Sequence, residues 1–228
     1  MQLLTLQTGA RPEVDALGKA GFTAELLWTS NEKFEGVGDE HKNELCSLLN
    51  AAIRSDEEQL MPSAARLARS INALCVVRHA GVLHDLRDFP VEGVTFRGTG
   101  FDNHYRPFFD SEPNKKYRVP GFLATSFSEK KAIEFAFNNG TALGRPRVLW
   151  VVHVDRRGRD DAKYRCKHVN FVKHAHVTGE QEYLFSAYSV FTVRTCVWAE
   201  GDALSRIEVN AALDNLAEPE DLPLAPWY

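Results

Sequence analysis

The chain has 228 residues, 44% of them hydrophobic and 25% charged, with 27 basic and 31 acidic side chains for a net charge of -4. That balance excludes a protein held to nucleic acid mainly through phosphate contacts, which needs a basic excess or a basic stripe. The apolar content suffices for a packed core and excludes a wholly disordered chain.

The opening stretch, MQLLTLQTGARPEVDALGKAGF, has neither the basic start nor the apolar length of a signal peptide. No apolar run anywhere approaches the ~20 residues of a membrane span. The expectation is a cytoplasmic protein, or one delivered by a route that leaves no such mark.

The first half reads as helical. Over Asp39 to Arg54, Leu45, Leu48, Leu49, Ala52 and Ile53 recur at spacings of three and four, one face of a helix that Asp39 can cap. Pro62 opens a second helical pattern with Leu67, Ile71 and Leu74 on one face. A third short helix is expected over Ala80 to Asp88, before Pro90.

The second half changes character. VEGVTFRGTG (91–100) predicts a strand, followed by a long loop from Phe101 to Arg118. Its basic cluster, Lys115, Lys116 and Arg118, reads as a solvated face. GFLATSF (121–127) predicts a buried strand. The next thirteen residues predict a helix capped by Ser128 and stopped by Gly140. Further strands are expected in RVLWVVHVD (147–155), in HVNFV, and through 181–198, where Phe191, Val193, Thr195 and Val197 alternate onto one side. The closing AEPEDLPLAPWY is acidic and Pro-rich and predicts an extended or disordered tail. Strands do not alternate regularly with helices, so the class is α+β.

Cys46, Cys75, Cys166 and Cys196 form no C-x-x-C pair, which argues against a zinc site; free, buried thiols are expected.

Three constellations can carry chemistry. Arg97, at a strand end beside Gly98 and Gly100, presents a planar fork suited to phosphate, although an arginine there also serves as a surface ion pair. Thr125 and Ser126 place hydroxyls in an apolar strand, where they either orient a ligand or bond their own sheet. Glu180 and Glu182 sit at i and i+2 at a strand start, so an extended backbone projects both carboxylates to one face; a solvated strand edge is the alternative.

Arg, then a Thr-Ser strand, then Glu-x-Glu, in that order, resembles the arginine-serine-glutamate class of mono-ADP-ribosyltransferases, in its eukaryotic-type arginine-specific branch. Phe96-Arg97-Gly98, GFLATSFSEKKAIEFA with its Ala-x-x-Phe helix core, and EQEYLFSAYSVFTV carry the resemblance, which runs from about Val91 to Trp198 and more weakly back to about Asp39. One departure stands out: the family's central motif begins with Ser, and this chain has Ala124.

The resemblance implies a helical region (1–90) packed on a catalytic core (91–210) of two perpendicular sheets forming an NAD⁺ cleft, with 211–228 as a tail. It implies NAD⁺ as co-substrate, no metal, nicotinamide as leaving group and a protein arginine as acceptor. Neither nucleic acid nor membrane is implied as a partner, and a monomeric toxin or effector is favoured. It further implies that Arg97 holds the diphosphate, that the Gly98 backbone bonds the carboxamide, and that Thr99, Thr125 and Ser126 line the site. Glu182 would be the catalytic carboxylate and Glu180 would engage the acceptor; family members that modify arginine carry Glu at that position. Phe137, Asn138 and Asn139 would fall near the NAD⁺ phosphate, with Arg145 or Arg147 as a second phosphate contact and the segment Phe171 to Gly179, with His174 and His176, facing the substrate. An NAD⁺ glycohydrolase and a catalytically silent NAD⁺-binding module remain the alternatives.

Overall fold

The computed structural model describes residues 28–30, 44–55, 57–75 (backbone alone for 72–75), 93–110, 114–155 and 181–228. Asp39, the helix expected over 80–88, the HVNFV strand, Cys166, Glu180 and the substrate-facing segment with His174 and His176 lie outside these residues, as does the side chain of Cys75. The chain divides into two compact units, Met1–Cys75 with Val172–Gly179, and Val76–Phe171 with Glu180–Tyr228.

In the first unit, α1 (Leu45–Ser55) and α2 (Met61–Cys75) pack against one another. α1 buries Leu48, Leu49, Ala52 and Ile53, the stripe its spacing predicts. Pro62 is the second residue of α2, where its missing N–H costs no helical hydrogen bond.

The second unit is built on seven strands: β1 (Val94–Gly100), β2 (Lys116–Val119), β3 (Leu123–Ser126), β4 (Arg147–His153), β5 (Glu182–Phe185), β6 (Ser189–Val197) and β7 (Ser205–Ala211), in the order β2-β6-β7-β4-β1-β3-β5. Among the described strands, β4 and β7 alone pair in parallel with each other. The α-helices among its described residues are a short α3 (Arg106–Asp110) and α4 (Glu129–Leu143). The α+β class is therefore observed.

Hydrogen bonding makes one continuous sheet where two facing sheets are expected. The two descriptions meet at the β1–β3 junction, which is held by one register pair, Phe96 with Ser126. Beyond that seam the sheet folds back on itself: the ring of Phe185 on β5 lies 5.3 Å from that of Phe191 on β6, five places away in strand order. Val148, Trp150 and Val152 of β4 face this enclosed core, with Tyr183, Phe185 and Phe191. Leu149 and Val151 face the other way, under α4.

Against β1, α4 lies unusually close. Ala132, Ala136 and Gly140, four residues apart, form its buried stripe. A Cβ at Gly98 would run into the Ala132 carbonyl and come within 2.6 Å of the Ala136 nitrogen. Gly98 is thus needed for the helix to seat on the strand. The expected Ala-x-x-Phe core is half right: Ala132 is buried, but Phe135 is exposed because the helix turns its small residues inward. Ser128 caps α4 as expected, accepting from the Lys131 N–H at 3.3 Å. Gly140 does not end the helix; Gly144, at φ 59°, does.

Two further expectations change. β2 and α3 form inside the stretch expected to be loop. In β6 a bulge between Val193 and Thr195 reverses the alternation, so Cys196 packs on the core while Val197 is 62% exposed. Burial also pushes the Cys196 thiol up to about 12, which keeps it unreactive. Of the two forms expected for the C-terminal segment, extended or disordered, it takes the extended one beside β2. Leu224 forms a parallel bridge to Arg118 along the outer edge of β2, and Trp227 enters the aromatic cluster of Phe109, Tyr117 and Trp150. Acidic, Pro-rich composition signals disorder only when nothing apolar is available to bury, and Ala225 and Trp227 supply that.

Candidate active site

The three sequence motifs meet at the β1–β3–β5 seam. Ser126 is the register partner of Phe96 on one side and of Glu182 on the other, so one row crosses all three strands. Directly opposed residues in an antiparallel pair project from the same face, so Ser126 and Glu182 stand side by side. Both are buried, with Glu182 9% exposed at the end of its strand. Ala124 stands opposite Leu184. The hydroxyl across the ladder from the carboxylate is therefore that of Ser126, and the position where the family motif has Ser faces an aliphatic side chain.

Arg97 follows Phe96 on β1. Val94 and Phe96 pack on the α4 side, as strand alternation predicts. The Arg97 guanidinium spans the seam and donates from Nη1 to the Ala124 carbonyl at 2.8 Å. Among the described residues, Nε and Nη2 make no hydrogen bond. Arg97 is thus aimed by one bond and keeps most of its fork unspent.

Two adjacent hydroxyls of β3 have different duties. Thr125 is buried and donates to the Tyr183 carbonyl at 2.7 Å, which ties β3 to β5. Ser126 Oγ accepts from the Ser128 N–H at 3.0 Å, which ties the end of β3 to the start of α4. Tyr183, on the opposite face of β5 from Glu182, has its phenol pushed far above the usual range by burial and stays neutral.

The extended backbone expected through the Glu-x-Glu stretch is not kept at its middle residue. β5 begins at Glu182, and Gln181 sits at φ 48°, in the left-handed region. Alternation holds only through extended residues, so a common face for positions 180 and 182 does not follow. No sequence signal marks this, because Gly or Asn is the usual occupant of such a backbone.

The remaining candidates lie on α4 or at the end of β1. Thr99 Oγ1 donates to the Gly100 carbonyl at 3.2 Å. Phe137 and Asn138 are exposed positions within α4 rather than on a loop beyond it. Arg147 is committed locally: it caps the Phe137 ring at 4.6 Å and donates to the Asp202 carbonyl at 2.6 Å. Arg145 is exposed beside Gly100. Among the described residues no group of three or more His, Cys, Asp or Glu side chains is placed to hold a metal ion, and no described helix is long and apolar enough to cross a membrane.

No family model and no curated protein sequence matches this chain. Solved structures do. HopU1, an ADP-ribosyltransferase of Pseudomonas syringae pv. Tomato DC3000, aligns over 83% of this chain and 75% of its own with a TM-score of 0.50 at 13% identity. Vis toxin of Vibrio splendidus, also an ADP-ribosyltransferase, aligns over 73% of this chain and 67% of its own, with a TM-score of 0.49 at 15% identity. The C3 exoenzyme of Clostridium limosum aligns over 74% and 80%, with a TM-score of 0.48 at 13% identity. These neighbours are bacterial, where the sequence resemblance pointed to the eukaryotic-type branch. The alignment to HopU1, together with the mixed sheet and α4, shows that this chain has the ADP-ribosyltransferase fold.

Proposed function

We propose that this protein is an NAD⁺-dependent mono-ADP-ribosyltransferase that modifies arginine in a protein substrate. The observation that carries this reading is the row across the seam, a buried carboxylate, Glu182, directly opposite a hydroxyl, Ser126, together with an arginine one residue along β1 from that row whose guanidinium is anchored to β3 at one nitrogen and, among the described residues, open at the others. The unspent Nε and Nη2 of Arg97 fit a diphosphate, which accepts two parallel N–H bonds.

In this reading Arg97 holds the NAD⁺ diphosphate, and Ser126, opposite Glu182 on the ladder, helps fix the carboxylate toward the nicotinamide ribose. As the C1′–N bond breaks, its electron pair passes to the pyridinium nitrogen and nicotinamide leaves neutral, so no general acid is required. The ribose becomes oxocarbenium-like, and Glu182 stabilises that charge more than it stabilises the ground state. The acceptor guanidinium attacks C1′ and gives its proton to Glu180. Thr125 acts as a positioning residue, and Gly98 places β1 at the correct depth under α4. Phe137, Asn138 and Thr99 border the same substrate at its periphery. Delivery as a toxin or effector and action as a monomer belong to this reading.

Glu182→Gln should lower nicotinamide release by roughly 10²–10³-fold while the fold is retained, the usual scale for removing one charge-stabilising group. Release equal to wild type would discard the site. Glu180→Gln should abolish labelling of protein arginine and keep measurable NAD⁺ hydrolysis; equal loss of both would end the division between the two carboxylates. Free ADP-ribose with no labelled protein from the unmodified chain would make it an NAD⁺ glycohydrolase.

A further inference from the structure

We infer that Asp102 is a specificity residue for the adenosine end of the co-substrate: its carboxylate takes a hydroxyl of the adenosine ribose and repels a 2′-phosphate at the same place. This rests on the site proposed above and fixes the direction in which the dinucleotide lies there. β1 and β3 share the pair Phe96–Ser126 and then part. In the same antiparallel register Arg97 to Gly100 would face Thr125 to Phe122 in turn, and none of these pairs forms. A gap therefore opens from the row of Phe96, Ser126 and Glu182 toward the C-terminal end of β1. The Arg97 guanidinium crosses it to the Ala124 carbonyl, which belongs to the second residue back along β3 from Ser126. With the nicotinamide ribose at Glu182 and the diphosphate at Arg97, the adenosine half continues the same way, toward the end of β1.

Asp102 stands at that end. The Phe101 N–H donates to the Pro146 carbonyl at 2.8 Å, and Asp102 is extended, at φ -76° and ψ 129°, so strand alternation runs on past Gly100. Phe101 is buried in the enclosed core, which turns Asp102 to the α4 face that Phe96, Ser126 and Glu182 share. α4 covers this face of β1 as far as Gly100, where an added Cβ would lie 3.1 Å from the Gly140 Cα and 3.3 Å from the Arg145 Cβ. Asp102 is the next position on the same face, six residues along from Phe96. At the usual strand rise that is about 20 Å, a span that an extended dinucleotide bridges. The chemistry fits a ribose. Asp102 Oδ1 accepts from the His104 N–H at 3.1 Å and lies 2.9 Å from His104 Nδ1, which fixes the carboxylate. Oδ2 makes no hydrogen bond among the described residues, and the side chain is 41% exposed. The hydrogen bonds from His104, that of its backbone first, hold the carboxyl below the ordinary Asp range, with a smaller contribution from the charge of Arg145. Arg145 itself makes no ion pair or side-chain hydrogen bond among the described residues. A fixed carboxylate recognises a ribose hydroxyl, whereas an open arginine accommodates a 2′-phosphate.

The test is Asp102→Asn, which keeps an acceptor for the His104 N–H and removes the charge. Nicotinamide release is measured from NAD⁺ and from NADP⁺. In the variant, KM for NAD⁺ should rise roughly tenfold with kcat within about twofold, because a bond to a charged group is lost away from the reacting bond. The preference for NAD⁺ over NADP⁺ in kcat/KM should shrink by at least about tenfold as the repulsion goes. Arg145→Ala in the same background should cancel the gain with NADP⁺. An unchanged thermal midpoint shows that the variants are folded. Unchanged KM and an unchanged ratio between the two dinucleotides, or a loss confined to kcat, overturns the inference and leaves the proposed function standing. A wild-type chain that releases no nicotinamide overturns the proposed function instead. Calorimetric titration with ADP-ribose and with its 2′-phosphate then decides the role of Asp102: ADP-ribose binding weakened about tenfold by Asp102→Asn supports it, and equal or absent binding overturns it.

Discussion

Two strand arginines of the same sheet live opposite lives. Arg118, on the edge strand β2, gives its guanidinium to the carbonyls of Tyr188, Asn215, Glu218 and Pro219, at 3.0, 3.4, 3.1 and 2.7 Å. With the Lys116–Glu218 pair at 2.7 Å, it fastens the C-terminal segment along the sheet edge. That segment covers the backbone groups an edge strand otherwise offers to other chains. Arg97, at the seam, spends one nitrogen on the Ala124 carbonyl and keeps the rest. A scaffold saturates its donors. A site aims its donors and leaves them open, because the ligand is to complete them.

This contrast can be broken by substitution. Arg97→Ala should cost the most in activity, about 100-fold in kcat/KM for NAD⁺, equivalent to about 2.7 kcal/mol, with a change in thermal midpoint that is small by comparison. If unfolding and activity fall together, Arg97 is scaffold. Arg118→Ala should do the reverse. Loss of its carbonyl bonds should destabilise the second unit by about 2 kcal/mol in chemical denaturation, while NAD⁺ cleavage at low temperature stays near wild type. A kcat/KM loss as large as that of Arg97→Ala would place the tail edge in the mechanism.

The smallest effect concerns the ion cluster where β4 and β7 run beside α4. Arg206 Nε donates to Glu208 at 3.0 Å, His153 lies 3.0 Å from the other carboxylate oxygen, and Arg206 also reaches Glu129 at 3.3 Å. Hydrogen bonds from Arg206 first, and then from His153, hold the Glu208 carboxyl below the ordinary glutamate value of 4.5. A depressed carboxylate contributes stability that is present above its unfolded-state value and lost as pH falls through the folded one. Stability should therefore decline below about pH 4.5, and Glu208→Gln should flatten that acid limb slightly. An unchanged acid limb would show the cluster to be too solvated to matter.

Much of the fold is legible in the residues. The stripe of α1, the Ser128 cap and the β-branched run of β4 each rest on neighbours a few positions away, and each forms as expected. β7 goes unread in the sequence, although Ser205, Ile207, Val209 and Ala211 alternate inward, because turn-like residues around it hide the signal. The bulge in β6, the packing of Trp227 and the left-handed backbone of Gln181 have no comparable local mark.

The candidate site divides in the same way. Its residue types and their order, Arg97, Ser126, Glu182, follow from the amino-acid sequence alone, because strands and caps are set by short-range period and chemistry. Tertiary structure decided which hydroxyl meets the carboxylate, why Gly98 is glycine, and which arginine stays open. The reason is distance along the chain. Thr125 is spent on a carbonyl 58 residues away and Arg118 on one 100 residues away, while Arg97 is aimed by one 27 residues away. Whether a donor is used up or held ready depends on partners that only folding brings within reach.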